Sequence, residues 1–174
     1  MLNIHFFKQP TLDICPQLLG KYLIHHDAGN KYEGFITEVE AYVGREDKAC
    51  HATKGKTERN KPMFEAGGTW YVYLVYGMYW MLNIVTEEKD FPAAILIRGI
   101  KTKENHLNGP GKLTKAFHIN KKFNGKLAIP EQGLWLEDRG IEIPPQNINT
   151  GKRIGINYAG IWKHKPWRFY LKSF

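Results

Sequence analysis

The sequence predicts an α+β fold, in which one domain of residues 1–174 holds a curved, mainly antiparallel β-sheet with flanking short helices and a protruding β-hairpin. Short segments rich in β-branched and aromatic residues recur along the chain, and helical patterns are few and short. No repeat, interdomain linker or low-complexity tract divides the sequence. The 43% hydrophobic content of 174 residues is enough for one core.

The first predicted elements are a helix and two strands. A capped helix begins at Thr11, and Pro16 restricts it to a turn or two. The strands Lys21–His26 and Lys31–Val43 follow, joined by a turn at residues 27–30. Together they predict a hairpin.

The second strand has two chemically different faces. Its two-residue period places on one face Ile36, Glu38, Glu40 and Tyr42, and on the other Phe35, Thr37, Val39, Ala41 and Val43. We expect the more apolar second face to meet the core. Two carboxylates and a tyrosine then share the opposite face, an arrangement that a purely structural strand does not need.

The middle of the chain predicts a functional loop and a second hairpin. Residues 44–69 are polar and Gly-rich, with one helical turn expected after Thr57. The aromatic strands Trp70–Tyr76 and Tyr79–Val85 come next, with the tip of their hairpin near Gly77.

The remaining elements are short. Ala93–Ile100 predicts a buried strand, and Gly109–Lys112 opens a short helix. We expect that helix to place on one apolar stripe Leu113, Ala116 and Phe117. Further strands are expected around Leu134–Leu136, Arg153–Ile156 and Arg168–Leu171.

The chain is strongly basic. Its 25 Lys and Arg residues against 17 Asp and Glu residues leave a formal charge of +8. Such a charge attracts polyanions, so nucleic acid is the leading partner class. Charge alone does not decide this, because many soluble proteins carry it as solvated surface.

Several classes of protein are not indicated. No segment approaches the ~18 apolar residues that span a bilayer, and the N-terminus lacks a signal-peptide pattern. Cys15 and Cys50 have no metal-ligand spacing. We expect no membrane partner, no metal and no organic cofactor. The expected location is intracellular, cytoplasmic and nucleoid-associated in a bacterium or nuclear in a eukaryote, and not secreted.

Six unusual motifs follow one another along the chain. They are Glu38-Val-Glu40-Ala-Tyr42, Asp47-x-Ala49-x-His51, Tyr71-Val-Tyr73-x-x-Tyr76-Gly77-Met78-Tyr79, Asn108-Gly-Pro-Gly-Lys112-Leu113, Arg153-Ile-Gly-Ile156 and Lys165-Pro-Trp-Arg-Phe-Tyr170. In this order they resemble the alkyladenine (3-methyladenine) DNA glycosylase family, and the resemblance runs from about Leu18 to Tyr170.

The resemblance implies a function in base-excision repair. Such an enzyme, expected here as a monomer, flips damaged purines, alkylated or deaminated, out of double-stranded DNA. It hydrolyses the N-glycosidic bond with an activated water, without lyase activity, and leaves an abasic site. The implied fold resembles the C-terminal domain of formyltransferases.

Glu40 and Arg98 are the catalytic candidates. Hydrolysis at a purine needs a general base or an electrostatic partner for the water, and a carboxylate serves both purposes near neutral pH. By motif alone, a solvated strand carboxylate is the better interpretation of Glu40, but the resemblance implies the general base. Arg98 matches an arginine that orients the water or the adjacent phosphate, although a strand-end arginine more often makes a surface ion pair. Glu38 is expected to be structural or a modest electrostatic partner.

The resemblance also implies a base pocket. Its expected residues are Tyr42, His51, Tyr73, Ala49, Asn83 and Ile154. Aromatic stacking and edge hydrogen bonds suit an extruded purine, and the Asn83 amide would clash with the 2-amino group of guanine. Lone tyrosines are more often core aromatics, and a lone histidine can be a hydrogen-bonded surface residue.

Other residues are candidates for contacts with DNA. By resemblance, Tyr76 is the DNA-intercalating wedge, with Met78 beside it. The candidates for phosphate binding are Thr57, Arg59 and Lys112, the last at a predicted helix N-terminus. The segment between Arg98 and Asn108 is shorter than in the family and lacks its usual arginine.

Three alternatives remain open from the residues. Cys50 beside His51 suggests a cysteine nucleophile, although adjacent residues on an extended chain point apart. A lysine nucleophile would make the protein a glycosylase-lyase, but no lysine lies in a recognisable pocket motif. The third alternative is a non-catalytic nucleic-acid-binding domain of the same fold.

Overall fold

Nine strands, all paired antiparallel, form one sheet in the computed structural model, which describes residues 1–172. The strands are β1 Tyr22–Asp27, β2 Asn30–Val43, β3 Trp70–Val75, β4 Tyr79–Val85, β5 Ala93–Lys101, β6 His106–Asn108, β7 Leu134–Glu137, β8 Ile148–Gly151 and β9 Arg168–Leu171. The α-helices are α1 Ile4–Phe7, α2 Thr11–Leu18 and α3 Pro110–Ala116. The 3₁₀-helices are His51–Lys54, Lys61–Phe64, Lys121–Phe123, Pro130–Gln132, Pro145–Asn147 and Asn157–His164. The predicted α+β class is confirmed.

Strand β2 is the centre of the sheet. The main strand order is β3-β4-β5-β2-β1-β7, with β6 joining β5, β9 joining β2, and β8 joining β9. At 14 residues, β2 is long enough to pair with β1 and then with β9 on one edge while β5 runs along the other. Glu40 therefore lies between Leu96 of β5 and Arg168 of β9, with a strand on each side.

The two faces of the sheet are covered differently. The main core lies on one face, where the sheet packs against α2 and α3 through Ile14, Leu18, Leu113 and Phe117. The loop at residues 44–69 covers the other face, over a smaller cluster around Tyr71. Side chains alternate between the two faces along each strand, so the sheet and the loop enclose a second layer of side chains opposite the main core. The polar face of β2 points into this second layer.

A bulge in β2 corrects one prediction. We expected Ile36 to share a face with Glu38 and Glu40, but it is buried in the main core with Val39 and Ala41. The pairing with β5 shifts register between Ile36 and Glu38 and again after Glu38. An extra residue at a bulge reverses the alternation beyond it, so the prediction was right beyond the bulge and wrong for Ile36.

Other differences concern short elements. The predicted strand Arg153–Ile156 is wrong, because these residues form an irregular segment after β8. Ala116 is exposed, so the apolar stripe of α3 consists of Leu113 and Phe117 only. The sequence reasoning also missed α1, β6 and β8, which have four, three and four residues. Such elements are too short to show a period.

No helix within residues 1–172 is both long enough and apolar enough to cross a membrane.

Candidate active site

The Glu40 carboxylate lies at the bottom of the second layer and is completely buried. Its Oε1 accepts the backbone N–H of Ile154 at 2.7 Å, and its Oε2 accepts the Tyr42 hydroxyl at 2.8 Å. The Arg98 Nε lies 3.5 Å from Oε1. Two hydrogen-bond donors and a neighbouring guanidinium therefore surround one buried carboxylate, which excludes a solvated strand glutamate.

Burial controls the protonation of this carboxylate. Loss of water around Glu40 raises its pKa above the ordinary value, and the Glu38 charge adds to this increase. The Arg98 guanidinium, the Ile154 N–H and the Tyr42 hydroxyl all lower the pKa, but together they do not outweigh burial. A carboxylate with a raised pKa is a stronger proton acceptor once it is ionised.

Arg98 is bound by carboxylates. Its Nε donates to Glu38 Oε1 at 3.1 Å, and the same oxygen accepts from Arg168 Nη1 at 3.1 Å. The side chains of Arg98 and Glu38 are each only 12% exposed. Arg98 therefore does not form the surface ion pair that is more common for a strand-end arginine. It belongs to a largely buried network, in which Glu38 holds the arginine next to Glu40. Glu38 thus has the structural and electrostatic place expected of it.

Aromatic rings from β3 and the loop form a wall beside Glu40. The ring centroids of His51 and Tyr73 are 4.7 Å apart, and those of Tyr71 and Tyr73 are 5.0 Å apart. His51 Nδ1 and the Tyr71 hydroxyl are hydrogen-bonded at 2.8 Å. Burial, followed by the charge of Arg59, lowers the pKa of His51 and favours its neutral form.

The space between these rings is small in the free protein. Its lining residues are Tyr42, Ala49, His51, Met63, Tyr71, Tyr73, Asn83 and Ala94, and its volume is about 20 Å³. This volume is near that of one water molecule. An open cleft of about 430 Å³ adjoins it at Ala49 and His51, with Arg59 and Tyr158 also in its lining. An occupant as large as a purine would have to separate the rings.

The Asn83 amide has a fixed orientation. Its Nδ2 donates to the carbonyl of Tyr71 at 3.0 Å and to that of Met81 at 3.2 Å. Both amide hydrogens are thereby used within the sheet. Asn83 is thus a structural hydrogen-bonder that also lines the cavity.

The tip of the β3–β4 hairpin is strongly exposed. Tyr76 is 87% exposed and Met78 is 64% exposed. Tyr76 has φ 52° and Gly77 φ 69°, and the Met78 N–H donates to the Val75 carbonyl at 3.1 Å. Two successive positive φ angles are typical of tight hairpin turns, so the turn holds the Tyr76 ring out in solvent, as predicted for the tip near Gly77.

The candidates for phosphate binding have different surroundings. The exposed Arg59 donates to the Leu74 carbonyl and lies 5.6 Å from the Tyr73 ring centroid, which places it at the mouth of the aromatic wall. Thr57 and the buried Asn60 hydrogen-bond to each other within the loop. Lys112 is exposed at the start of α3.

Helix α3 lies directly against the hairpin. A Cβ on Gly111 would approach the Tyr79 ring to 2.8 Å, so only glycine permits this contact. The contact places the N-terminus of α3, and with it Lys112, next to the strand that follows the exposed tip.

The alternative of a cysteine nucleophile is not supported by the surroundings of Cys50. This residue is buried in the cluster below the loop, and burial raises the pKa of its thiol to about 11. A thiol with that pKa is protonated near neutral pH and is a poor nucleophile.

Two groups in the site were missed by the sequence reasoning. Tyr71 was quoted within a motif but given no role, although the two-residue period already put it on the face of Tyr73. Asp47 and Arg153 form a fully buried ion pair beside Tyr42. Motif membership was the only sequence signal for this pair, because its members are 106 residues apart.

Within residues 1–172, no three His, Cys, Asp or Glu side chains are grouped so that they could hold a metal ion. The absence of a cofactor stays a prediction.

Comparison with known proteins gives one consistent result. A family model described as methylpurine-DNA glycosylase matches residues 5–173. A Legionella pneumophila (strain Corby) protein named 3-methyladenine DNA glycosylase is 42% identical over 172 residues, covering 97% of this chain and 92% of that protein. A Methanocella arvoryzae protein with this name is 41% identical over 184 residues, with 97% and 90% covered. One from Wolbachia pipientis is 44% identical over 173 residues, with 97% and 88% covered.

The raised pKa of Glu40 gives a prediction for stability. A carboxyl group with a raised pKa in the folded state stabilises the fold below the ordinary glutamate pKa of about 4.3, and this stabilisation is lost as pH rises through the folded-state pKa. Glutamine does not ionise, so the Glu40→Gln variant does not lose this stabilisation as pH rises. The free energy of unfolding of the variant, relative to the native protein, should therefore increase from pH 4 to pH 8 in urea titrations.

Glu33→Gln, on the same strand, is the matched control. Hydrogen bonds from Arg139 and Lys31 lower the pKa of Glu33 to about 2. Its stabilisation is present above the ordinary pKa and is lost as pH falls, so this variant should lose stability at neutral pH and the deficit should shrink in acid. The same pH trend in both variants would contradict the assignment for Glu40.

Proposed function

The chain belongs to the methylpurine-DNA glycosylase family, which makes it a hydrolytic DNA glycosylase of base-excision repair, and we propose how its site recognises and releases a damaged purine. The observation that carries the proposal is the buried Glu40 carboxylate beneath a wall of tyrosine and histidine rings. A carboxylate at the bottom of an aromatic pocket combines a proton acceptor with a surface for stacking.

The proposed substrates are alkylated or deaminated purines in double-stranded DNA. The relatives named above carry 3-methyladenine in their names. Alkylation at a ring nitrogen gives a purine a positive charge, and the rings of Tyr42 and Tyr73 would attract such a base through cation–π interactions. Stacking contributes roughly 1–3 kcal/mol per base, which is comparable to the cost of flipping.

The exposed hairpin tip has a role in flipping. Tyr76 enters the duplex through the minor groove and occupies the space that the flipped nucleotide leaves, with Met78 beside it. The tight turn holds the ring out before DNA binds, which reduces the entropic cost of ordering it on binding. Lys112, at the start of the adjacent α3, lies near the DNA phosphates next to the point where Tyr76 enters the duplex.

The flipped base opens its own pocket. A cavity of about 20 Å³ does not hold a purine, so the base separates Tyr42 from His51 and Tyr73 as it enters. The adjoining cleft at Ala49 and His51 gives these rings room to move. The fixed amide of Asn83 then meets the 2-position of the purine, where the amino group of guanine would clash.

Glu40 accepts the proton from the attacking water. A carboxylate offers about four lone-pair positions, and among the described residues the Ile154 N–H and the Tyr42 hydroxyl take one each, while Arg98 lies beside the carboxylate as an ion-pair partner. One of the remaining positions binds the water. Its oxygen bonds to C1′ of the sugar while the N-glycosidic bond breaks, and the electron pair leaves with the purine.

The charges of Glu40 and Arg98 also stabilise this step. The Glu40 charge also stabilises the oxocarbenium-like sugar of the transition state. Arg98, held by Glu38, keeps Glu40 ionised and orients the water or the neighbouring phosphate. The products are a free purine and an abasic site.

Binding to DNA depends on the charge of the whole protein. The formal charge of +8 attracts the phosphate backbone without regard to sequence. Arg59, at the mouth of the aromatic wall, reaches the phosphate flanking the flipped nucleotide, and Thr57 supports the loop beside it. We propose that the protein acts as a monomer inside the cell.

Loss of the Glu40 charge should abolish base release. In Glu40→Gln the single-turnover rate of release from a duplex with one 3-methyladenine or hypoxanthine should fall at least about 10²-fold. The affinity for the same duplex should stay close to that of the native protein, because the stacking surface is unchanged.

Glu33→Gln is again the matched control and should release base at the native rate. Near-normal release by Glu40→Gln would refute the mechanism. Strand cleavage at the abasic site, or trapping of the protein on DNA by borohydride, would instead indicate a lysine nucleophile.

Removing the exposed ring should weaken recognition of lesions. Tyr76→Ser should bind lesion duplex more weakly and release base more slowly, whereas binding to undamaged duplex changes little, because that binding is mainly electrostatic. Tyr76→Phe keeps the ring and should behave like the native protein in fluorescence anisotropy. Unchanged affinity of Tyr76→Ser for lesion duplex would exclude the wedge.

A further inference from the structure

Asp47 and Arg153 form the most deeply buried ion pair within residues 1–172, with both side chains 0% exposed. Arg153 Nη1 donates to Asp47 Oδ2 at 2.5 Å, and Nη2 donates to Oδ1 at 2.8 Å. The two parallel hydrogen bonds fix the relative orientation of the planar groups. This pair has no part in the mechanism described so far.

The pair ties four segments together around Glu40. Asp47 also accepts the backbone N–H groups of Val43 and Ala49, which closes the start of the loop onto the end of β2. Arg153 also donates to the carbonyls of Ala41 and Trp162. The end of β2, the loop, the irregular segment after β8 and the last 3₁₀-helix are thereby joined at one point.

Residues that the pair contacts or adjoins lie next to Glu40 in the chain or bind its carboxylate. Ala41, whose carbonyl accepts from Arg153, follows Glu40 in the chain. Ile154, whose N–H donates to Glu40, follows Arg153. The Arg153 guanidinium carbon also lies 4.9 Å from the centroid of the Tyr42 ring, whose hydroxyl donates to Glu40.

We propose that Asp47 and Arg153 are positioning residues that hold the Ile154 N–H and the Tyr42 ring against Glu40, so that a free lone pair of the carboxylate faces the attacking water. The inference rests on the proposal that Glu40 activates this water. Neither residue touches the base or the sugar. Both act through the geometry of the groups that they fix.

A purely structural role explains the pair less well. Burial of two charges is costly, and well-packed apolar residues often stabilise a fold as well or better. Within the described residues, Arg153 Nε is buried without a hydrogen-bond partner, which adds to this cost. What the pair provides, and an apolar pair would not, is a fixed orientation for the backbone at Ile154.

The pair also influences the protonation of Glu40 through the Ile154 N–H. The other groups that face Glu40 are Arg98 of β5, Glu38 and Tyr42 of β2, and Tyr73 of β3, with Arg168 of β9 opposite it in register. None of these groups belongs to the segment after β8. A change at Arg153 therefore weakens the hydrogen bond from the Ile154 N–H to Glu40 and leaves the charges of the other strands in place.

Arg153→Lys tests the inference, because it keeps the charge and loses the paired hydrogen bonds. Single-turnover release should fall about 100-fold, as expected when a catalytic group is misplaced by about 1 Å. The acidic limb of the pH–rate profile should move to higher pH, because the hydrogen bond from the Ile154 N–H, which favours the ionised form of Glu40, weakens. The affinity for lesion duplex should stay close to native.

Arg139→Lys is the matched control. Arg139 makes a similar two-bond contact with Glu33, but this pair is partly exposed to solvent. This variant should keep the native rate and the native pH profile. Asp47→Asn, which preserves shape, is the second positioning variant, and each variant is assayed well below its own Tm after its folding has been checked by circular dichroism.

The outcomes separate the two proposals. Native rates and an unchanged acidic limb in Arg153→Lys or Asp47→Asn, with only a lower Tm, would show that the pair is structural and would overturn the inference. Glu40→Gln is measured in parallel, and its full activity would refute the general-base proposal itself. A slow Arg153→Lys with a shifted limb, beside an inactive Glu40→Gln, is the result that we expect.

Discussion

Burial of the Glu40 carboxylate is the constraint on which the rest of the site depends. An ionised carboxylate without water costs several kcal/mol unless hydrogen bonds replace its hydration. The protein supplies two such hydrogen bonds, from the Tyr42 hydroxyl and the Ile154 N–H, and adds the positive charge of Arg98 beside the carboxylate. The replacement is incomplete, so the pKa of Glu40 stays raised. This incompleteness preserves the basicity of the carboxylate, as the proposed activation of water by Glu40 requires.

The sheet topology makes this arrangement possible. Because β2 is flanked by β5 and β9 at Glu40, arginines of both neighbours reach the Glu38 carboxylate, and one of them lies beside Glu40. The loop at residues 44–69 and the last 3₁₀-helix then cover the carboxylate from above. Beneath the aromatic wall, hydrogen bonds fix the orientation of the charged groups, which suits a preorganised site.

The sequence predicted the parts of the site that follow a local pattern. The two-residue period placed Glu40 and Tyr42 on one face, and the turn residues located the exposed tip. The period could not show the bulge that moves Ile36 into the core, because a bulge depends on pairing with β5. Nor could it show the pairing of Asp47 with Arg153, because contacts between residues so far apart in the chain depend on tertiary folding.

The most direct test of this account is the titration of Glu40 itself. The protein is labelled with carbon-13 at its glutamate carboxyl groups, and NMR spectra are recorded across pH for the native protein and for Glu40→Gln. The signal that is missing from the spectrum of the variant belongs to Glu40. The ordinary glutamate pKa is about 4.3. The account predicts that the Glu40 signal titrates with a higher pKa than this, and that the pKa rises further in Arg153→Lys. A Glu40 signal that titrates at or below the ordinary pKa would contradict the claim that burial tunes this carboxylate to accept a proton.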